Sequence, residues 1–374
     1  MKTVGIVTIH DIYNYGSILQ ATATQVVVEK LGFKAEIIDY KYPNKYHTQS
    51  VSLSEKYKKL ILKSSNEFLK NRLPEGKTKV YKRRYADFKN KHYNLSKKTY
   101  LEQKSLKTSP PKYDIYMTGS DQVWRPDTMK CDSNFFLEFA GNAKKVAFAS
   151  SFGCISLDSE YTLKYQKYLA SYDYIGVREA SGVDLVEELT GTKPSLVLDP
   201  TLLLDSSEWS NYIRDYPNTS YDYILVYGDN THDHYTERLA KHISEVTGLK
   251  IIRINGKFYD YFSKDMKFIL DAGPAEWLSL FKNASLILGQ SFHATAFAIN
   301  FERPFYAILR GSKNHDARQL HLLETLGLGH RAITCGDEFP LKDELNLDVD
   351  YSEVSKVMNI KRMESIDFLK NALS

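Results

Sequence analysis

The chain has 374 residues, of which 43% are hydrophobic and 26% charged, and its formal net charge at pH 7 is +4. This composition is typical of a soluble globular protein, and the length exceeds one ordinary core, so we expect two domains. Cys131, Cys154 and Cys335 lie far apart without a CxxC pair, which predicts neither a disulfide framework nor a zinc site. No apolar run reaches transmembrane length, and Asp11 comes too early for a signal peptide, so we expect a cytoplasmic protein.

The first elements predict a Rossmann-like opening. A strand over Val4–Ile9 is followed by a polar turn, an amphipathic helix over Ile18–Leu31 and a second strand over Ala35–Tyr40. The turn contains one glycine rather than the GxGxxG pattern, so a dinucleotide fingerprint is absent. The carboxyl end of the first strand, where cleft residues are expected, carries Asn14, Tyr15 and Gly16.

A basic segment interrupts this domain at about residues 41–111 and is predicted to be a helical insertion. From Lys41 to Lys112 there are 20 Lys/Arg and 5 Asp/Glu, so this stretch carries about +15 and the remainder about −11. Three interpretations stay open: a solvated helical surface, a contact with an anionic membrane surface, or attraction of a diphosphate-bearing acceptor. Nucleic acid is a weaker candidate. Peripheral membrane contact predicts salt-sensitive liposome binding that is lost when three side chains are neutralised: Lys82, Arg83 and Arg84.

Polar side chains follow each later strand predicted for the first domain. The strand over Tyr113–Thr118 is followed by GSDQVW, the strand over Tyr174–Val177 by Arg178, and the strand over Ser195–Leu198 by Asp199. Strand ends of a parallel sheet meet at one edge, so these side chains are predicted to face a cleft. The GSDQVW segment contributes Ser120, Asp121, Gln122 and Trp124.

The second domain is predicted over residues 201–345, after a first domain over residues 1–200. Its centre is a strand–helix–strand unit at Ala284–Ile308, and residues 346–374 form a closing helix. Ser291 and His293 lie where the helix of this unit begins, a position that favours an anion. A lone histidine there is more often structural. A basic loop after the next strand contains Arg310, Lys313 and Arg318.

The surplus of arginine and lysine at strand ends suits a small substrate with a carboxylate and a phosphate, because guanidinium binds either group bidentately. At this point the sequence resembles the polysaccharide pyruvyl transferases. The resemblance extends from Val4 to about Gly327, and GSDQVW and SFHATAFA are its most distinctive motifs. The other matching segments are GIVTIHDIYNYGSILQA, KVAFASSFG, YDYIGVRE, LVLDPTLLL and the basic loop to Arg318.

The resemblance implies a GT-B-like architecture of two Rossmann-like α/β domains facing a cleft, with the acceptor on the first domain and the donor on the second. It implies transfer of the pyruvyl group of phosphoenolpyruvate, a co-substrate, onto a sugar or lipid-linked oligosaccharide in cell-surface glycan assembly, with no cofactor and no metal. The implied catalytic residues are His293, as the acid or a phosphate contact, and Arg178, as a contact of the donor's carboxylate or phosphate, with Asp121 as a guess for the base. Implied donor contacts are Ser291, Arg310, Lys313 and Arg318, and expected acceptor contacts are Asn14, Tyr15, Gly16, Ser120, Gln122 and Trp124.

Where some family members have Arg-Leu-His, this chain has Ser-Phe-His, which shifts donor binding toward the downstream basic loop. Two other functions stay open. A nucleotide-sugar glycosyltransferase on the same scaffold would need a base-binding site, for which the loop Gly256–Gly273 offers Phe258, Tyr259, Tyr261 and Phe262. A non-catalytic scaffold at a glycan or membrane surface is the third.

Overall fold

The computed structural model describes residues 1–41, 75–228, 234–254 and 265–374. The helix predicted over Glu55–Leu73 and the aromatic side chains of the 258–262 loop lie outside the described residues.

The first domain is built on a six-stranded parallel sheet in the order β2-β1-β3-β4-β5-β6. Its central strands β1, β3 and β4 are almost entirely buried, as is usual for parallel sheets, whereas the edge strand β6 is exposed. The strands are β1 (Thr3–Val7), β2 (Lys34–Ile37), β3 (Ile115–Thr118), β4 (Lys144–Ser150), β5 (Tyr174–Val177) and β6 (Ser195–Leu196). The helices are α1 (Tyr15–Lys30), α2 (Glu75–His92), α3 (Gln103–Thr108), α4 (Pro126–Met129), α5 (Ser159–Leu169) and α6 (Ala180–Thr190).

The second domain repeats this plan with a six-stranded parallel sheet in the order β12-β11-β10-β7-β8-β9. Its strands are β7 (Tyr223–Tyr227), β8 (Lys250–Ile254), β9 (Met266–Ile269), β10 (Leu286–Gly289), β11 (Phe305–Leu309) and β12 (Ala332–Thr334). The helices are α7 (Ser206–Ser210), α8 (Tyr235–Thr247), α9 (Pro274–Lys282), α10 (Phe292–Asn300), α11 (Lys313–Thr325) and α12 (Ser352–Leu373). The prediction of two Rossmann-like domains is therefore confirmed, although the sequence analysis missed β9 and β12.

The closing helix α12 returns to the first domain. Phe368 stacks on Phe148 of β4 at 6.3 Å between ring centroids, and the Ser365 hydroxyl accepts the backbone N–H of Leu198 at 2.9 Å. The chain therefore passes from the first domain to the second and back, and the contacts of α12 fasten the second domain to the first.

Helix α2, which belongs to the basic insertion, is also a bridge between the domains. Arg84 donates to the backbone carbonyl of Asp271 at 2.7 Å and pairs with Glu276 at 3.2 Å, and both partners belong to the second domain. Lys82 and Arg83 are exposed. Arg84 is thus a structural cation, and neutralising it would test domain packing rather than membrane contact.

Each sheet has one topological switch point, a pair of neighbouring strands from which the following connections run in opposite directions. It lies between β1 and β3 in the first domain and between β7 and β10 in the second. Ligands of open α/β sheets bind at the carboxyl ends of the strands at such points. Helix α1 begins after β1 and helix α10 begins after β10, so each switch point is occupied by the start of a helix.

Candidate active site

The two switch points face each other across a cleft of about 200 Å³. The first domain contributes Asn14, Ser17, Asp121 and Gln122. The second contributes Gln290, Ser291, Phe292, His293, Arg310, His315, Asp316, Arg318 and Gln319. The sequence analysis missed Ser17, Gln290, His315 and Gln319, which no motif distinguishes from ordinary polar positions on or next to helices.

Two helix N-termini converge on this cleft. Asn14 caps α1 by accepting the N–H of Ser17 at 3.1 Å, and Ser291 caps α10 by accepting the N–H of Ala294 at 3.2 Å. Other amides in a first helical turn lack intrahelical partners, and the helix dipole adds partial positive charge there. The cleft is therefore suited to an anion from both sides.

His293 lies between the domains. An ideal Cβ on Gly16 would fall 2.1 Å from the Nδ1 of His293, so the absence of a side chain at Gly16 makes room for the imidazole. On its other side, Nε2 lies 3.9 Å from Oδ2 of Asp199. Burial lowers the pKa of His293 and the charge of Asp199 offsets this only in part, so the imidazole is neutral near pH 7.

Arg178 is buried behind the cleft rather than on its surface. Its guanidinium donates to Asp199 at 2.6 Å and lies 3.6 Å from Asp121 and 3.7 Å from Glu179, and the ring of Phe292 covers it at 5.0 Å. Burial opposes ionisation of Asp199, but Arg178 and His293 lower the pKa of that carboxyl to about 2. The expectation that Arg178 contacts the donor directly differs from this arrangement, in which three carboxylates surround its charge.

Asp121 joins this network to α1. It accepts the hydroxyl of Ser17 at 2.5 Å and the N–H of Gln122 at 2.8 Å, with a backbone φ of 78°. Burial alone would raise the pKa of Asp121, but the charge of Arg178 lowers it, as does His293 in its protonated form. A carboxyl held in its ionised form is a weak base, which argues against the general-base role suggested for Asp121.

The basic loop separates its three cations. Arg310 and Arg318 line the cleft, whereas Lys313 is exposed on the first turn of α11. Asp316 fixes the loop by accepting the N–H groups of Arg310 at 3.0 Å and Ser312 at 2.9 Å.

Arg318 forms no ion pair among the described residues, and the charges of Glu179 and Asp121 act on it only from a distance. Within the part of the chain that the structure describes, no carboxylate pairs with Arg318, and its Nε is buried without a hydrogen-bond partner. Burial, followed by the charge of Arg178, lowers the pKa of Arg318 to about 10. Burial and Arg178 therefore disfavour this positive charge, and a bound anion would stabilise it.

Of the six expected acceptor residues, Gly16 lies beside the imidazole of His293, and the other five fall into two groups. Asn14 and Gln122 line the cleft. Ser120, Tyr15 and Trp124 are instead buried: Ser120 donates to Asp199 at 2.8 Å, Tyr15 donates to the carbonyl of Ala272 at 2.8 Å, and Trp124 donates to the carbonyl of Phe135 at 3.0 Å. Tyr15 and Trp124 belong to the hydrophobic cores and Ser120 to the network around Asp199, so these three do not lie where an acceptor contact was expected.

The sequence model of one family, Polysaccharide pyruvyl transferase, matches residues 14–312. The chain belongs to this family. The match includes both helix N-termini, Arg178 and His293, and it stops within the basic loop before Arg318. No curated protein matches the chain.

Solved structures with a similar fold are distant in sequence. UDP-GlcNAc 2-epimerase of Methanocaldococcus jannaschii, in complex with UDP-GlcNAc and UDP, is 15% identical with a TM-score of 0.50, and the match covers 97% of this chain and 94% of that chain. Arabidopsis thaliana UGT89C1, complexed with UDP-L-rhamnose, is 10% identical with a TM-score of 0.51, covering 99% and 98%. These likenesses confirm that this pyruvyl transferase family member has a GT-B-like fold.

Two further properties concern the described residues of this family member. In these ranges no group of three or more His, Cys, Asp or Glu side chains could hold a metal ion. None of the helices described combines the length and apolar character that crossing a membrane requires.

Proposed function

We propose that the protein transfers the pyruvyl group of phosphoenolpyruvate onto sugar hydroxyls and closes a pyruvate ketal in surface polysaccharide assembly. The observation that carries this proposal is the convergence of two helix N-termini and the unpaired Arg318 on one small cleft. A compact anion is the ligand that satisfies all three.

The donor's two anionic groups match this arrangement. The N-terminus of α10 and Arg318 would hold the phosphate, and Arg310, whose backbone Asp316 fixes, would hold the carboxylate. The cleft volume of about 200 Å³ is below the range of about 300–1,000 Å³ that larger ligands occupy. A three-carbon acid phosphate fits such a volume better than a nucleotide sugar.

The reaction consumes one phosphoenolpyruvate and two sugar hydroxyls, and it yields a ketal and inorganic phosphate. The methylene carbon C3 gains a proton, and C2 bonds to two sugar oxygens. The bond from C2 to the phosphate oxygen breaks, and its electron pair leaves with the phosphate. One hydroxyl proton balances the proton placed on C3, and the other ends on the phosphate. Positive groups around the phosphate stabilise the charge that develops on it.

His293 is the group proposed to move the proton. As a neutral imidazole it can take a proton from the acceptor hydroxyl, and beside a bound phosphate its positive form is stabilised, so it can pass a proton to C3. Asp121 and Asp199 stay ionised and offset the imidazolium charge. Arg178 acts as a positioning residue, because it holds both carboxylates in place.

Calorimetric titration with phosphoenolpyruvate, UDP and UDP-glucose tests the proposal. We expect phosphoenolpyruvate to bind and to raise the melting temperature. With a suitable sugar present, inorganic phosphate and a ketal methyl signal should appear, and His293→Ala should abolish both products. Binding of UDP or UDP-glucose with no response to phosphoenolpyruvate would favour the nucleotide-sugar transferase. Binding of none of these ligands would favour the non-catalytic scaffold.

The pH dependence of donor binding gives a second test. Because bound phosphate raises the pKa of His293 above its lowered value in the free protein, the complex binds more protons than the free protein. Affinity should therefore rise as the pH falls from about 8 to 6, with proton uptake visible in buffers of different ionisation enthalpy. His293→Gln should leave only the dependence that the donor's own phosphate contributes. Equal proton uptake in both proteins would remove His293 from donor binding.

A further inference from the structure

We propose that the exposed ring of Tyr13 is the floor of the acceptor subsite and stacks against the C–H face of a sugar ring. This inference rests on the proposed function for the identity of the reaction, and it adds the place where the acceptor binds. The supporting features are the exposure of Tyr13, the packing that holds its ring, its position beside the cleft and the charges around it.

Tyr13 is exposed but well supported. Its side chain is 58% exposed, although its ring lies 5.4 Å from that of the buried Tyr85 and 5.5 Å from that of Tyr81, between centroids. The Tyr81 hydroxyl donates to the backbone carbonyl of Tyr13 at 3.4 Å. A ring held on one side by other rings and open on the other is a preformed stacking surface, so a ligand would lose little ordering entropy in using it.

The position of Tyr13 fits an acceptor. Asn14, the next residue, lines the cleft, and Gly16 contacts the imidazole of His293. Three residues of chain span at most about 11 Å, so the Cα atom of Tyr13 lies within that distance of the Cα atom of Gly16. A sugar stacked on Tyr13 can therefore direct a pair of hydroxyls toward His293 while the donor occupies the second-domain side.

The charges beside Tyr13 favour a sugar over an apolar ligand. Two residues before it, Asp11 pairs with Lys89 and lies 3.0 Å from the ammonium group of Lys41. These ions are partly exposed, and a lipid chain would have to remove their water without replacing it. A sugar has an apolar C–H face for the ring and hydroxyls at its edge for the charged groups. The slightly positive C–H bonds also match the negative face of the aromatic ring.

Transfer kinetics and saturation-transfer NMR with the methyl glycosides of glucose, galactose and mannose test the inference. We expect Tyr13→Ala to raise the acceptor KM by about five- to tenfold. The kcat should change less than about twofold and the donor dissociation constant should be unchanged, because the variant removes a binding surface only. Tyr13→Phe and Tyr13→Trp should keep the KM near that of the unmodified protein. The control is Tyr174→Ala, which removes a 39% exposed ring at the amino end of β5, away from the cleft.

The NMR experiment separates failure of this inference from failure of the proposed function, because it needs no turnover. Ring protons on one face of a bound glycoside should receive saturation from the protein, less in Tyr13→Ala and equally in Tyr13→Phe. An unchanged signal and KM in Tyr13→Ala overturn the inference, as does the absence of glycoside binding to the unmodified protein. A loss in Tyr13→Phe as large as in Tyr13→Ala also overturns it, since the hydroxyl and not the ring face would then bind. Glycoside stacking on Tyr13 in a protein that ignores phosphoenolpyruvate would keep the subsite and reject only the donor.

Discussion

Two arginines beside the same cleft have opposite electrostatic surroundings. Arg178 is buried among Asp121, Asp199 and Glu179 and donates a 2.6 Å hydrogen bond to Asp199. Arg318 lines the cleft, and in the described part of the chain no carboxylate pairs with it. Burial acts against the charge of both, but the neighbouring carboxylates raise the pKa of Arg178, whereas the pKa of Arg318 falls to about 10. The first arginine therefore belongs to the scaffold, whereas burial and the charge of Arg178 outweigh the nearby carboxylates Glu179 and Asp121 at the second, so that a bound anion would stabilise its charge.

The largest effect expected from this difference is on stability. Arg178→Met leaves three buried carboxylates without their cation, which should lower the free energy of unfolding by about 3–5 kcal/mol in urea denaturation. Arg238→Met, which removes an exposed arginine of α8, is the control and should change it by less than about 0.5 kcal/mol. If Arg178→Met does not fold, Arg178→Lys should give an intermediate loss. A loss below about 1 kcal/mol in Arg178→Met would mean that the carboxylates find other partners and that the two arginines are not distinct.

Arg318→Met should weaken donor binding without lowering stability, the reverse of the stability loss expected for Arg178→Met. It removes an unpaired, partly buried charge, so the melting temperature should stay equal or rise. The dissociation constant for phosphoenolpyruvate should increase about 10- to 100-fold, the range expected for a lost charge-assisted contact. Lys313→Met removes the same charge from an exposed position on the same helix and should leave both quantities unchanged. Unaltered donor affinity in Arg318→Met, or a stability loss like that of Arg178→Met, would contradict the contrast between the two residues.

The fold was predictable because its signals are local. Each apolar run followed by polar residues gave a parallel strand with a cleft-facing end, and two such series gave two Rossmann-like domains. The helix start at Ser291 was predicted, since serine is a typical cap, whereas α1 begins at Tyr15 after its cap Asn14, three residues before the predicted start at Ile18. The family resemblance then identified the correct family, as the match over residues 14–312 shows.

The sequence could not show which cleft residues are structural and which can bind a ligand, because this depends on contacts between distant parts of the chain. Arg178 and Arg318 both follow strands and both read as donor contacts, and only the three-dimensional position of Asp121 and Asp199 separates them. Likewise, Arg84 belonged to a basic run that suggested a surface function, yet it pairs with Glu276 of the other domain. In neither case does the sequence around the arginine identify its carboxylate partner.

The smallest of these effects concerns His293, which connects the two arginines by lying 3.9 Å from the carboxylate of Asp199 and lining the same cleft as Arg318. Gly16→Ala places a Cβ where Nδ1 of His293 now lies, so the imidazole must move. Because alanine is the better helix former, the stability of α1 should not fall, while kcat should drop roughly tenfold through misplacement of the proton-transfer group. Gly329→Ala is the control, since a Cβ there meets open space.

A double-mutant cycle decides whether the Gly16→Ala effect acts through the imidazole. In a His293→Ala background the space beside Gly16 is empty, so Gly16→Ala should change neither the remaining donor affinity nor the free energy of unfolding beyond what helix propensity adds. A loss of donor affinity that persists without the imidazole would instead place the effect in the N-terminus of α1. Backbone amides at the start of α1 would then bind the anion directly. The comparison of Arg178 with Arg318 would have to include these amides as further donor contacts.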